Sequence, residues 1–182
     1  MRFIAFDRLV RMAITIFGPD TGDLTLRTGV TGKAARTGHR LTIGFTDWSA
    51  TVDVDAPSQV AVRVAVGSLE VRGGEGGLTP MTAPERLVAR TNALKSLKAD
   101  KHPEIVFTAP SATPDGDGYR FDGTLTIAGA SREHSVRVTR DGDRATGSTR
   151  IRHADFGLKQ YSLMMGALKV ADEVDVEWSL AL

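Results

Sequence analysis

Apolar side chains recur at every second position through most of this chain, the period that places them on one face of an extended strand. Leu24, Leu26 and Thr28 alternate with polar neighbours, and after the turn-like TGKAARTG the alternation resumes at Leu41, Ile43 and Phe45. A hairpin is predicted there. The pattern slips by one at Thr46 and Asp47 and returns as Trp48, Ala50, Val52 and Val54, as a β-bulge in a bent strand would make it. Val60, Val62, Val64 and Val66 form the cleanest run, and Leu69 and Val71 continue it in a short strand before the flexible GGEGG.

The period then changes. Pro84, well placed in a first helical turn, opens the one predicted helix, within Ala83 to Ala99. Leu87, Thr91, Leu94 and Lys98 share one face of it, with Val88 and Leu97 near the edges. Such a helix would plug one end of the β structure. Strands resume after Pro103 with Ile105 and Phe107, then Tyr119, Phe121, Leu125 and Ile127, then Val136 and Val138, separated by turns such as PDGDG and RDGD. Ala145, Gly147, Thr149 and Ile151 form the penultimate run, and Val174, Val176, Trp178, Leu180 and Leu182 the last.

Short strands joined by tight turns, with one inserted helix, predict an all-β antiparallel barrel or sandwich rather than an alternating α/β sheet. A barrel of about eight strands with this pattern either fills itself with side chains or holds one small ligand. The sequence pattern leaves both open.

Composition narrows the rest. The 182 residues suit one domain, read as a lead-in over 1–22 and a barrel over 23–182. Lys and Arg number 23 against 22 Asp and Glu, so no basic excess exists to meet a nucleic acid. Without cysteine, disulfides, thiolate metal sites and a cysteine nucleophile are excluded. Charges at Arg2, Asp7, Arg8 and Arg11 interrupt any signal-peptide core between Met1 and Phe17, and Met12 is an alternative start. A cytoplasmic protein is expected. Uncharged stretches such as Met12 to Pro19 and Tyr161 to Leu168 fall short of the roughly 20 residues that span a bilayer.

Catalytic and metal signatures are sparse. His39, His102, His134 and His153 lack helical ligand spacing, and no GxSxG elbow is present. Asp155, Phe156 and Gly157 read as a turn in which Asp155 caps backbone donors and Phe156 packs inward. Tyr161 to Leu168, with Leu163, Met164, Met165 and Leu168, reads as an apolar loop. Methionines there suit either a cavity mouth or plain packing over the barrel end.

The segments GHRLTIGFTDWSATVDV, KHPEIVFTA, GYRFDGTLTIAGASREHSV and HADFGLKQYSLMMGALKVADEV, with the final alternating strand, together resemble the YceI-like family of lipid-binding proteins. The resemblance covers the chain from about Asp23 to its end. It implies a lipocalin-like barrel closed at one end by the helix, with an elongated apolar cavity for polyisoprenoid chains or related amphiphiles, and no catalytic residue or cofactor. A bound polyisoprenoid, quinone-like or fatty-chain lipid is the implied ligand. One departure stands out: the family carries Arg two residues before the Asp of its DFG turn, where this chain has His153 beside Arg152.

With a hollow barrel implied, the inward positions become its expected lining: Leu26, Thr28, Leu41, Ile43, Phe45, Trp48, Val62, Val64, Leu94, Phe107, Tyr119, Phe121, Leu125, Ile127, Val136, Val138, Met164, Met165 and Trp178. Lys33, Arg36, Arg40 or Lys159 would meet a polar head at the mouth, unless they are simply solvated loop charge. An enzyme acting on a small apolar substrate, a filled barrel serving as an interaction scaffold, and a homodimer are the alternatives left open.

Overall fold

The computed structural model describes residues 14–54 and 57–182. The alternating runs become twelve strands: β1 (Ile14–Phe17), β2 (Gly22–Thr31), β3 (His39–Phe45), β4 (Trp48–Asp53), β5 (Val60–Ala65), β6 (Leu69–Gly76), β7 (Glu104–Asp115), β8 (Gly118–Ile127), β9 (Ala130–Asp141), β10 (Arg144–Arg152), β11 (Ser162–Leu163) and β12 (Leu168–Ala181). Helix α1 (Ala83–Ser96) lies between β6 and β7. Part of the predicted lead-in, residues 1–13, and with it the Met12 start, lies outside the described residues.

Strand order is β1-β4-β5-β7-β8-β9-β10-β12-β2-β3-β6, with β11 on β12. Three bends explain how this order curls on itself. β1 pairs with β4 (Ile14 opposite Asp53) and β2 with β3 (Thr25 opposite Gly44). β4 in turn pairs with β5 (Trp48 opposite Val64) and β3 with β6 (Phe45 opposite Leu69). β1 with β2, β3 with β4, and β5 with β6 are thus each one long strand bent in the middle, at 18–21, 46–47 and 66–68, and the neighbours form a closed antiparallel ring. The count of twelve corrects the expected eight or so: the bends split three of the strands in two, and the two-residue β11 is added. The slip of alternation at Thr46 and Asp47 falls on the middle bend.

Bends leave backbone groups that a ladder would have used, and local side chains take them up. Thr21 Oγ1 accepts from Gly18 N–H at 3.0 Å, and Ser68 Oγ donates to Ala65 O at 2.8 Å.

Helix α1 begins with a capping box, in which Thr82 N–H donates to Glu85 Oε2 at 2.6 Å and Glu85 N–H to Thr82 Oγ1 at 3.4 Å. Its inner face differs from the predicted one. Leu87 and Val88 are 66% and 60% exposed, whereas Ala89, Ala93, Leu94 and Leu97 pack on the barrel. Arg90 fixes this rotation by donating from Nε to Leu69 O and from Nη2 to Gly67 O, both at 2.7 Å. Small alanines then permit close approach, and the bulkier Leu87 and Val88 turn outward.

The core has two clusters, one around Phe17, Ile43, Phe45, Trp48 and Leu69, the other around Phe107, Phe121, Leu125, Ile127 and Phe156. Val62, Leu97 and Ile105 pack against both.

Candidate ligand-binding cavity

Between these clusters the barrel is hollow, with a cavity of about 690 Å³. The strand pleat decides its lining, since residues of one parity on each strand point to the axis. Of the predicted set, Leu26, Phe45, Trp48, Val62, Val64, Phe107, Tyr119, Phe121, Leu125, Ile127, Val136, Val138 and Trp178 line it.

The remaining predicted residues are placed elsewhere. Thr28 Oγ1 accepts from Leu41 N–H at 2.9 Å, and both residues border a separate depression with Arg27, Arg40 and Arg150. Ile43 is 3% exposed and packs in the first core cluster. Leu94 also packs there, and Leu97 is the helix-end residue that reaches the cavity. Met164 and Met165 are 65% and 106% exposed on the outer surface, both with φ 53°, a left-handed backbone that turns their side chains away from the barrel.

The ends of the cavity are unlike. Leu97 and Leu158 stand at the helix end, whereas Gly116 and Asp117 of the β7–β8 turn, Arg140, Val54, Pro57 and the exposed Leu182 border the other. That second end is the mouth. Lys33, Arg36 and Lys159 border neither described pocket, and Arg40 borders only the outer depression.

Polar residues of inward parity complete the lining, within reach of the sequence pattern although not of its apolar positions. His134 shares parity with Val136 and Val138 on β9, Thr149 shares it with Ala145 and Ile151 on β10, and His153 follows in the turn just past that strand; all three line the cavity. His134 Nε2 lies 2.8 Å from Thr149 Oγ1. The imidazole meets the Phe107 ring at 88°, centroids 6.5 Å apart, and burial holds its pKa below the ordinary value. The neutral ring is therefore favoured.

His153 Nδ1 donates to Asp172 O at 2.8 Å; a carbonyl only accepts, so this nitrogen carries a proton. The His153 side chain is thus tied to the backbone of β12. The adjoining turn corrects the role expected of Asp155, which is exposed. The carboxylate that bonds this turn belongs to Asp172 of β12: Oδ1 accepts from Ala154 N–H at 3.0 Å and Oδ2 from Arg152 Nε at 3.3 Å. Phe156 packs inward at 4% exposure, and Gly157 leaves the turn at φ 63°.

A family model described as the YceI-like domain matches residues 25–182. The chain belongs to the YceI-like family. Solved structures with the same fold include BcnA of Burkholderia cenocepacia, 18% identical over 88% of this chain and 96% of that one, with a TM-score of 0.64. A YceI protein of Campylobacter jejuni is 18% identical over 74% and 80%, with a TM-score of 0.54. A polyisoprenoid-binding domain from Saccharophagus degradans, implicated in plant cell wall breakdown, is 13% identical over 94% and 100%, with a TM-score of 0.55. No match was found among curated proteins. Among the described residues, no helix of this YceI-like chain is long and apolar enough to cross a membrane.

Proposed function

We propose that this chain binds an isoprenoid-type or other long-chain lipid non-covalently inside the barrel, to carry or sequester it. The observation that carries this reading is the cavity itself: about 690 Å³, walled by apolar side chains from strands all round the barrel, and bordered by exposed residues at one end. That volume falls within the roughly 300–1,000 Å³ of small-molecule sites. Each methylene buried there contributes about 0.8 kcal/mol before ordering costs. Membership of the YceI-like family and the likeness to a domain described as polyisoprenoid-binding support it.

The reading is of a binder and not of an enzyme. His134 and Thr149 form an interior pair with the residue types of a base and a nucleophile, but His134 Nδ1 has no bonding partner among the described residues to orient it. Organic extraction and mass spectrometry of gently purified protein, with thermal-shift titration of isoprenoids and fatty amides, test the proposal. A co-purifying lipid and a raised melting temperature are expected; neither lipid nor shift would sink it.

A further inference from the structure

Hydrogen-bonding groups are spread unevenly along the cavity. The charged side chains on its wall, Asp117 and Arg140, stand at the mouth, where Arg137 pairs with Asp117 at 3.1 Å and Arg140 Nε donates to Gly142 O at 3.3 Å. Farther along β9 the wall is apolar except at His134, which faces Thr149 of β10.

This pair sits where the sheet changes. Residues Arg144 to Thr146 of β10 pair with Thr139 to Asp141 of β9, and the ladder is not continued beyond them. Past that point the two strands are linked by the His134–Thr149 side-chain bond. With Nε2 so engaged, Nδ1 of His134 remains without a protein partner among the described residues, and no buried side-chain nitrogen or oxygen among them is left unbonded. Nδ1 is therefore accessible. Four positions on, in the short turn just past β10, His153 adds a second ring to the lining, and its Nε2 has no partner among the described residues.

Three kinds of ligand meet this wall differently. A plain hydrocarbon leaves the His134 nitrogen unanswered. A phosphate or carboxylate drawn inside would lose its hydration with no cation opposite it. A hydroxyl or carbonyl oxygen satisfies the imidazole and needs no counter-charge.

We propose that the His134–Thr149 pair is an interior station for a neutral oxygen, hydroxyl or carbonyl, on an otherwise apolar ligand, so that the ligand's polar group is held within the barrel and not at its mouth. This rests on the lipid-binding reading and narrows it to a ligand class.

Trp48 and Trp178 both line the cavity, so their fluorescence reports occupancy. The test titrates three matched twenty-carbon isoprenoids: geranylgeraniol, the same chain without the hydroxyl, and geranylgeranyl phosphate. The alcohol should bind about tenfold more tightly than the hydrocarbon, the equivalent of one net hydrogen bond of ~1.4 kcal/mol, and the phosphate no more tightly than the hydrocarbon. In Thr149→Val and His134→Leu, the alcohol should fall to the level of the hydrocarbon or below it, its hydroxyl being desolvated without a partner, while the hydrocarbon is nearly unaffected. Equal affinity for alcohol and hydrocarbon, tightest binding of the phosphate, or variants that keep the preference would each overturn the inference while leaving lipid binding intact. Failure of all three ligands to bind would overturn the lipid-binding reading and this inference with it. Should His134→Leu misfold, the ligand order on the unaltered protein and on the near-isosteric Thr149→Val decides.

Discussion

Gly147 and Trp178 are register partners on β10 and β12, and the indole lies flush over the glycine. A Cβ on Gly147 would collide with Cζ2 of the indole on one side and with the Arg137 carbonyl of β9 on the other. The bare backbone here allows a large ring to line the cavity beside a tightly approached strand. Gly147→Ala should therefore destabilise by about 1–3 kcal/mol through overpacking, read as a lower urea midpoint. Trp178→Ala should cost close to 3 kcal/mol, the lower end of the range for aromatic truncation, because the half-buried ring already faces a void. It should also let bulkier ligands enter. Unchanged midpoints in both variants would contradict this packing.

The rotation of α1 makes a sharper contrast. Arg90→Ala removes charge-assisted bonds to the Leu69 and Gly67 carbonyls and should cost about 1.5–3 kcal/mol. Leu87→Ser, on the exposed face, should stay within about 0.5 kcal/mol of the unaltered protein. Thermal denaturation of the two variants checks the helix orientation.

A similar pair tests the turn at 153–156. Asp172→Ala should lose about 1–3 kcal/mol, since Ala154 N–H and Arg152 lose their acceptor. Asp155→Ala should be nearly neutral. The reverse order in a urea titration would return the capping role to Asp155.

His134 gives stability a pH dependence of definite sign. Burial lowers its pKa in the folded protein below the ordinary 6.5, which the unfolded chain retains. Between those two values the unfolded chain binds more protons. Stability is therefore full above about pH 6.5, falls as the pH drops through it, and levels off below the folded pKa. His153, Asp117 and Arg140 also line the cavity, so the His134 contribution is isolated by difference. Melting temperatures of the unaltered protein and His134→Gln, followed from pH 8 to 5, should converge as the pH falls. A constant gap would contradict the assignment.

Parity was the most legible property of the sequence. On the last strand Val174, Val176, Trp178, Leu180 and Leu182 were read as one face, and all five line the cavity. Strand bending was less legible, because a bend leaves the alternation intact on either side and shows only as a slip, as at Thr46 and Asp47. The helix face is not legible from apolar residues alone, because Leu87 and Val88 do not pack whereas Ala89 and Ala93 do; Arg90 bonds to backbone, an interaction without hydrophobic signature. Met164 and Met165 fell outside the interior because a left-handed backbone pair has no compositional mark when neither residue is glycine. His134 and Thr149 carry inward parity, but a polar side chain at such a position has no hydrophobic signature to mark it as lining.

The exposed residues that border the cavity, Gly116, Asp117, Arg140 and Leu182, all stand at the mouth, and this one-sidedness has a kinetic consequence. A chain that leaves by that mouth re-exposes its tail methylene by methylene. At about 0.8 kcal/mol for each CH₂, residence time would lengthen roughly fourfold per methylene withdrawn before the barrier. Spontaneous escape into water then becomes slow for long chains, and turnover would depend on an acceptor meeting the Asp117–Arg140 rim directly.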